Sequence, residues 1–125
     1  MTHIDHINIS APMALLEQVR DFYCRVFVMQ DGFRPSFKRR GFWLYAGGKP
    51  LIHLIESEEH FPSERQGYLD HIAFRADGLA EFAARLESGN IPFRVSQIPE
   101  KDMTQLFFKD PAGTGLEVNF IGEFL

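Results

Sequence analysis

The chain writes one pattern twice, and that duplication limits the folds open to it. Ile4-Asp5-His6-Ile7-Asn8 returns as Leu69-Asp70-His71-Ile72-Ala73, 65 positions further on. Leu51-Ile52-His53-Leu54-Ile55 lies over Gly115-Leu116-Glu117-Val118-Asn119 at an offset of 64, and Phe42-Trp43-Leu44-Tyr45 lies over Leu106-Phe107-Phe108-Lys109 at the same offset. Self-similarity at a fixed period marks a structural unit used more than once. Each copy carries a metal-compatible side chain near its start and another near its end. These are His6 and His53 in the first copy, His71 and Glu117 in the second.

The 125 residues read as a single domain over 1–125. It comprises a first module of about residues 1–58, a linker over about 57–66 and a second module of about 67–125. A unit of roughly 60 residues buries only about 60% of its unfolded surface, so the modules are expected to pack together or pair across a homodimer. Thirteen Phe predict a core built by aromatic packing. The net charge of −4 argues against nucleic acid or an anionic membrane as partner. No apolar run reaches the length that crosses a bilayer, and Met1-Thr2-His3-Ile4-Asp5 lacks a charged leader followed by an apolar stretch. The single Cys24 allows no intrachain disulfide and fits a reducing, cytoplasmic setting. Within Phe22-Tyr23-Cys24-Arg25-Val26 it reads as a buried, inert thiol.

Periodicity gives both modules one plan. Residues 3–10 alternate, with Ile7 and Ile9 on one face and His6, Asn8 and Ser10 on the other, as a half-buried strand does. Pro12 opens a helix whose stripe is Leu15, Leu16, Val19, Phe22, Tyr23, Val26 and Phe27. Strands follow near 32–37, over 41–46 and over 50–56, the last two joined by the Gly47-Gly48 turn. In the second module a strand over 69–75 leads to a helix near Asp77, a predicted N-cap, with Gly89 as its predicted stop. Strands near 93–97, 104–109 and 115–120 complete the repeat, with Asp110-Pro111-Ala112-Gly113 as the turn. The expected fold class is therefore α+β: two tandem βαβββ modules forming a curved mixed sheet around a metal-binding cavity.

Alternation sets His6, His53, His71 and Glu117 on the face opposite the helix in related positions. Three imidazoles and a carboxylate suit a divalent Fe, Mn, Zn, Ni or Co ion. A lone His between apolar neighbours is commonly a hydrogen-bonded core residue. Four metal-compatible residues at two matching offsets favour a metal site instead. His3 and His60 fall outside the repeat and read as solvent-facing. Asn8, Arg75 and Asn119 share the ligand face as candidate substrate contacts; for Arg75 a salt bridge at the rim is the equal alternative. Arg34, Lys38, Arg39 and Arg40 form a basic run that either guides an anion or is a solvated turn. Phe42, Trp43, Phe107 and Phe108 read as core, with alternation turning one of each pair toward the ligand face.

The doubled plan, the Asp-His-Ile strands and Phe107-Phe108-Lys109-Asp110-Pro111-Ala112-Gly113 leading into Leu116-Glu117-Val118 resemble the vicinal oxygen chelate superfamily. Phe22-Tyr23 matches a pair that family members often carry late in the first helix. That superfamily includes glyoxalase I, ring-cleaving dioxygenases, methylmalonyl-CoA epimerase, fosfomycin-resistance enzymes and bleomycin-binding proteins. The resemblance spans essentially the whole chain. It implies that His6, His71 and Glu117 are metal ligands and that His53 occupies the fourth position, where glyoxalase I usually has a carboxylate. Thr114 stands where the family's turn usually has Asn.

Two chemistries fit this set. A bound ion could act as a Lewis acid on a substrate held through two neighbouring oxygens, as in an isomerase or lyase. Glu117 is the ligand able to double as a base. Alternatively, two His and one carboxylate could hold Fe(II) or Mn(II) with open positions for dioxygen. His53 either coordinates or serves as an acid or base beside the metal. The alternative from another class is a non-catalytic protein that binds or sequesters a small molecule, of the bleomycin-resistance type.

Overall fold

Runs of alternating residues in each module need one face covered, and an amphipathic helix in the same module covers it. The computed structural model describes residues 1–125. The first module contains β1 (Ile7–Ala11), α1 (Met13–Val26), β2 (Gln30–Gly32), β3 (Gly41–Ala46) and β4 (Lys49–Glu56). The second contains β5 (His71–Arg75), α2 (Leu79–Ser88), β6 (Arg94–Ile98), a single 3-10 turn over Pro99–Lys101, β7 (Met103–Lys109) and β8 (Gly115–Ile121). The chain divides into compact units at Met1–Glu64 and Arg65–Leu125. Each unit holds a four-stranded sheet, in the orders β1-β4-β3-β2 and β5-β8-β7-β6. Both sheets are mixed, because β1 runs parallel to β4 and β5 parallel to β8 while the other pairs are antiparallel. The α+β class and the repeated βαβββ plan are as expected.

The repeat extends to register. Across β3, β4 and β1 the row is Trp43, His53, Asn8. Across β7, β8 and β5 it is Phe107, Glu117, Ala73. Because side chains alternate, a slip of one residue would turn every one of these groups to the opposite face. Leu16, Val19, Phe22, Tyr23 and Val26 of α1 are buried, as are Leu44, Ile52 and Leu54 of β3 and β4. Leu79, Phe82, Ala83 and Leu86 are the buried stripe of α2. Phe82 meets Phe108 and Phe120 at centroid separations of 5.9 and 5.6 Å, distances at which aromatic pairs attract beyond their area burial. Leu15 and Phe27, also assigned to the first stripe, are half-buried at its edges.

Several boundaries differ from expectation for physical reasons. The strand expected near 32–37 is confined to Gln30–Gly32. Beyond it the Tyr45 hydroxyl donates to Phe33 O (2.6 Å) and Arg34 Nη2 donates to Arg39 O (3.0 Å), so side-chain bonds replace a ladder. The strand expected near 93–97 runs over Arg94–Ile98. Asp77 does not cap α2. Gly78 is the N-cap residue, and the Glu123 carboxylate accepts from Gly78 N (3.0 Å) and Leu79 N (2.8 Å). At the other end Gly89 has an ordinary φ of −86°, and Asn90 takes the left-handed position at φ 55°. Asn90 N donates to Glu87 O and Ile91 N to Leu86 O, a Schellman closure.

Glu123 satisfies two orphaned donors with a negative charge at the positive end of a helix dipole. Glu123→Ala is therefore expected to cost about 0.5–2 kcal/mol, the range for a lost N-cap. Denaturant unfolding measures it, and a change within error would show that the contact is incidental.

Turns and close approaches complete the frame. Gly47 and Gly48, at φ 58° and 77°, make the hairpin between β3 and β4, where two left-handed residues match the strand twist. In the second module Asp110 Oδ1 accepts from Ala112 N (2.9 Å) and Thr114 N (3.0 Å), holding the loop from β7 to β8. A side chain at Gly115 would run into Asp70 O and stand 3.1 Å from His71 Cβ, so the start of β8 passes close against the residues entering β5.

Candidate functional site

In the first module His6 stands just ahead of β1 and His53 lies in the middle of β4. Their rings stack at 3.7 Å and 10°, and the other side of His53 stacks on Trp43 at 4.1 Å and 15°. The alternation of β3 thus turns Trp43 toward the ligand face, while Phe42 lies under Arg20 of α1 at 4.7 Å. His6 Nδ1 donates to Asp5 Oδ2 (2.7 Å). A carboxylate only accepts, so the proton sits on Nδ1 and the Nε2 lone pair is left for a metal. His53 is the reverse: Nε2 donates to Pro50 O (3.1 Å), which leaves its lone pair on Nδ1. A cavity of about 440 Å³ is lined by His6, Asn8, Arg34, Phe37, Trp43 and His53, among others.

In the second module His71 heads β5 and Glu117 lies on β8. His71 Nδ1 donates to Asp70 Oδ2 (2.9 Å), repeating the Asp5–His6 arrangement. His71 Nε2 stands 3.2 Å from Glu117 Oε1, and Glu117 Oε2 accepts from Gln105 Nε2 (3.0 Å). With Nδ1–H committed to Asp70, Nε2 and Oε1 are two acceptors facing each other. Such a pair needs a positive particle shared between them: a second proton on the imidazole or a metal ion. The donor set therefore fits a divalent cation.

The structure brings His6 to His53 and His71 to Glu117, and gathers no group of three or more His, Cys, Asp and Glu side chains. Asn8 lines the first-module cavity and accepts from the Ser10 hydroxyl at 3.1 Å. Arg75 is exposed at the end of β5, and its register neighbour Asn119 has a buried Oδ1 with no partner. His3 and His60 are exposed, the latter bonded to Glu64. Cys24 is half-buried, and its thiol is pushed up chiefly by burial, which removes thiolate character. The site groups that sequence reasoning did not single out are Asp5, Asp70 and Gln105. The duplicated Asp-His dipeptide was a visible signal for the first two. Gln105 left none.

The imidazoles are tuned in opposite directions. The Asp70 hydrogen bond, with Glu117 adding attraction, raises His71 above the ordinary imidazole value of 6.5. Burial, with repulsion from His6 adding to it, lowers His53 below the same value. In the metal-free protein, ring-proton NMR titrations should give His71 the higher midpoint and His53 the lower. The reverse order would contradict the hydrogen-bond assignments. The linkage signs are opposite as well. His71 contributes stability that is complete below 6.5 and lost as pH rises through its raised value. His53 contributes stability that is complete above 6.5 and lost as pH falls through its lowered value.

Two βαβββ modules, each presenting metal-type donors at matched register, have the fold of the vicinal oxygen chelate superfamily, which similar solved structures support. It is similar to a glyoxalase family protein from Bacillus anthracis, with 27% identity over 97% of this chain and 96% of that one and a TM-score of 0.74. It also shares its fold with the fosfomycin resistance protein FosX from Listeria monocytogenes, whose variant was crystallised with Mn(II) and 1S,2S-dihydroxypropylphosphonic acid. That match has 15% identity, coverage of 97% and 93%, and a TM-score of 0.74. A lactoylglutathione lyase from Agrobacterium tumefaciens matches at 21% identity, 96% and 94% coverage, and a TM-score of 0.67. No protein-family model and no curated protein matches the sequence. No helix of the structure is long and apolar enough to cross a membrane.

Proposed function

We propose that the chain is a metal-dependent enzyme acting on a small oxygen-rich substrate held through two oxygens by a divalent ion. His6, His71 and Glu117 are its ligands. The observation that carries this reading is the facing of His71 Nε2 and Glu117 Oε1 at 3.2 Å, with the outer nitrogen of His71 already committed to Asp70. Fe, Mn, Zn, Ni and Co all suit two imidazoles and a carboxylate. When bound, the ion supplies Lewis acidity toward the substrate oxygens.

The chain's own residues supply the rest. Glu117 is committed to Gln105 and His71, which leaves His53 as the base. Burial keeps its imidazole neutral near pH 7, and its Nε2 proton is held by Pro50 O, so Nδ1 receives the substrate's proton. Asn8, Arg75 and Asn119 contact the substrate, with the unpartnered Asn119 Oδ1 awaiting a donor. The working form is a cytoplasmic homodimer, a reading supported by the exposed Phe33, Phe37, Tyr68, Leu69 and Phe124 and by the small size of each module.

Elemental analysis of protein purified without added metal tests the reading. No bound ion, and none taken up from Fe, Mn, Ni or Zn, would overturn it. The ligand-binding reading of the bleomycin-resistance type would then remain, resting on the aromatic walls of the first-module cavity. Within the enzyme class, oxygen uptake by Fe(II)-loaded protein over a catechol panel marks a dioxygenase. Absence of uptake shifts weight to isomerase or lyase chemistry.

A further inference from the structure

The first-module cavity contains a cation that the proposed metal chemistry does not use. Arg34 lines it beside His6 and His53, and the Arg34 guanidinium lies over the Phe37 ring at 4.9 Å. Arg34 also borders a second cavity of about 570 Å³, toward Met13 and Glu17. One donor on its head group, Nη2, bonds to Arg39 O, while Nε is buried without a partner. A buried N–H left unsatisfied costs about 1–3 kcal/mol, so its persistence needs an explanation.

The surrounding loop holds this head group in position. Tyr45 pins Phe33, Arg39 O fixes Nη2, and Arg40 closes the loop with two bonds to Glu56 (3.1 and 2.7 Å). Gly41 supplies the room. A side chain there would strike Leu54 O and stand 3.1 Å from Arg34 Nη2. A guanidinium held by one hydrogen bond and one ring face, with donor capacity unspent, is prepared for a planar anion. The neighbouring walls are the flat faces of Trp43 and Phe37, whose centroids lie 6.3 Å apart.

We propose that Arg34 is the anion anchor of this cavity and that the substrate carries a carboxylate on a flat, unsaturated or aromatic body lodged against Trp43 and Phe37. This inference rests on the enzyme reading above and narrows its substrate class. The carboxylate engages the guanidinium while the flat body takes the ring faces, so charge and shape are recognised by separate elements.

Trp43 is the chain's single tryptophan, so its emission reports this cavity alone. Metal-free protein is titrated with benzoate and with its neutral analogue benzamide. Wild type is expected to bind benzoate at least about tenfold more tightly, as a charge-assisted pair requires. Arg34→Gln should abolish that preference, and Arg34→Lys should retain only part of it. Equal binding of the two probes by wild type, or an undiminished preference in Arg34→Gln, would overturn the proposal; the wild-type comparison stands even if the variant fails to fold. Metal uptake is measured separately on the same variants and should be unchanged. Absence of the charge preference in wild type thus counts against the anchor alone, and failure of metal uptake in wild type counts against the enzyme reading alone.

Discussion

Glu117→Gln should abolish metal uptake while leaving the fold in place. The substitution keeps the shape of the side chain and an oxygen for Gln105 to donate to, but it removes the charge that faces His71 Nε2. Even residues one step removed from a metal typically cost 10–100-fold in affinity, so loss of the ligand itself should exceed about 100-fold. Stability should change little, because Glu117 is largely buried and a neutral amide is cheaper to bury than a carboxylate. A competition titration against a zinc-binding dye reads the affinity, and a thermal melt reads the fold. Unchanged affinity in a folded Glu117→Gln protein would remove Glu117 from the ligand set.

The second large effect lies outside the ligands. Asp70→Asn should weaken metal binding about 10–100-fold, the usual cost of an outer hydrogen-bond partner. The Asp70 carboxylate fixes the proton of His71 on Nδ1 and thereby presents Nε2. An amide can turn its NH2 group toward the ring and select the opposite tautomer. The same change should lower the His71 titration midpoint toward 6.5, because Asp70 is the chief cause of its rise. The two readouts must move together. A weakened affinity with an unmoved midpoint would mean that Asp70 acts through packing, not through the proton. Asp5→Asn should weaken binding through His6 in the same way.

The parts of this molecule that depend on local pattern were legible in the sequence. The strand over 41–46, the Gly47-Gly48 turn and the facing of Trp43 with His53 and of Phe107 with Glu117 all follow from alternation and a constant offset. Contacts between distant residues were not. Glu123 caps α2 from 44 positions away, where no capping pattern operates. Residues 33–37 carry strand-like aromatics, yet the bonds from Tyr45 and Arg34 hold them as a loop. For the candidate site, the repeat exposed the four donors and the duplicated Asp exposed the means of orienting two of them. Gln105 and the fixed head group of Arg34 depend on which side chains the fold sets side by side, and no spacing rule encodes that.

Gly115 gives the last consequence. It contributes no donor, charge or apolar surface, yet the approach of β8 to Asp70 and His71 depends on its lack of a side chain. Any larger residue would push that backbone away and shift the Asp70–His71 couple, leaving His71 chemically intact but displaced. An inventory of reactive groups would pass such a variant as wild type. Tolerance to change is therefore narrow at a position with no chemistry to recognise, and a library that spares only the donors would move one without touching it.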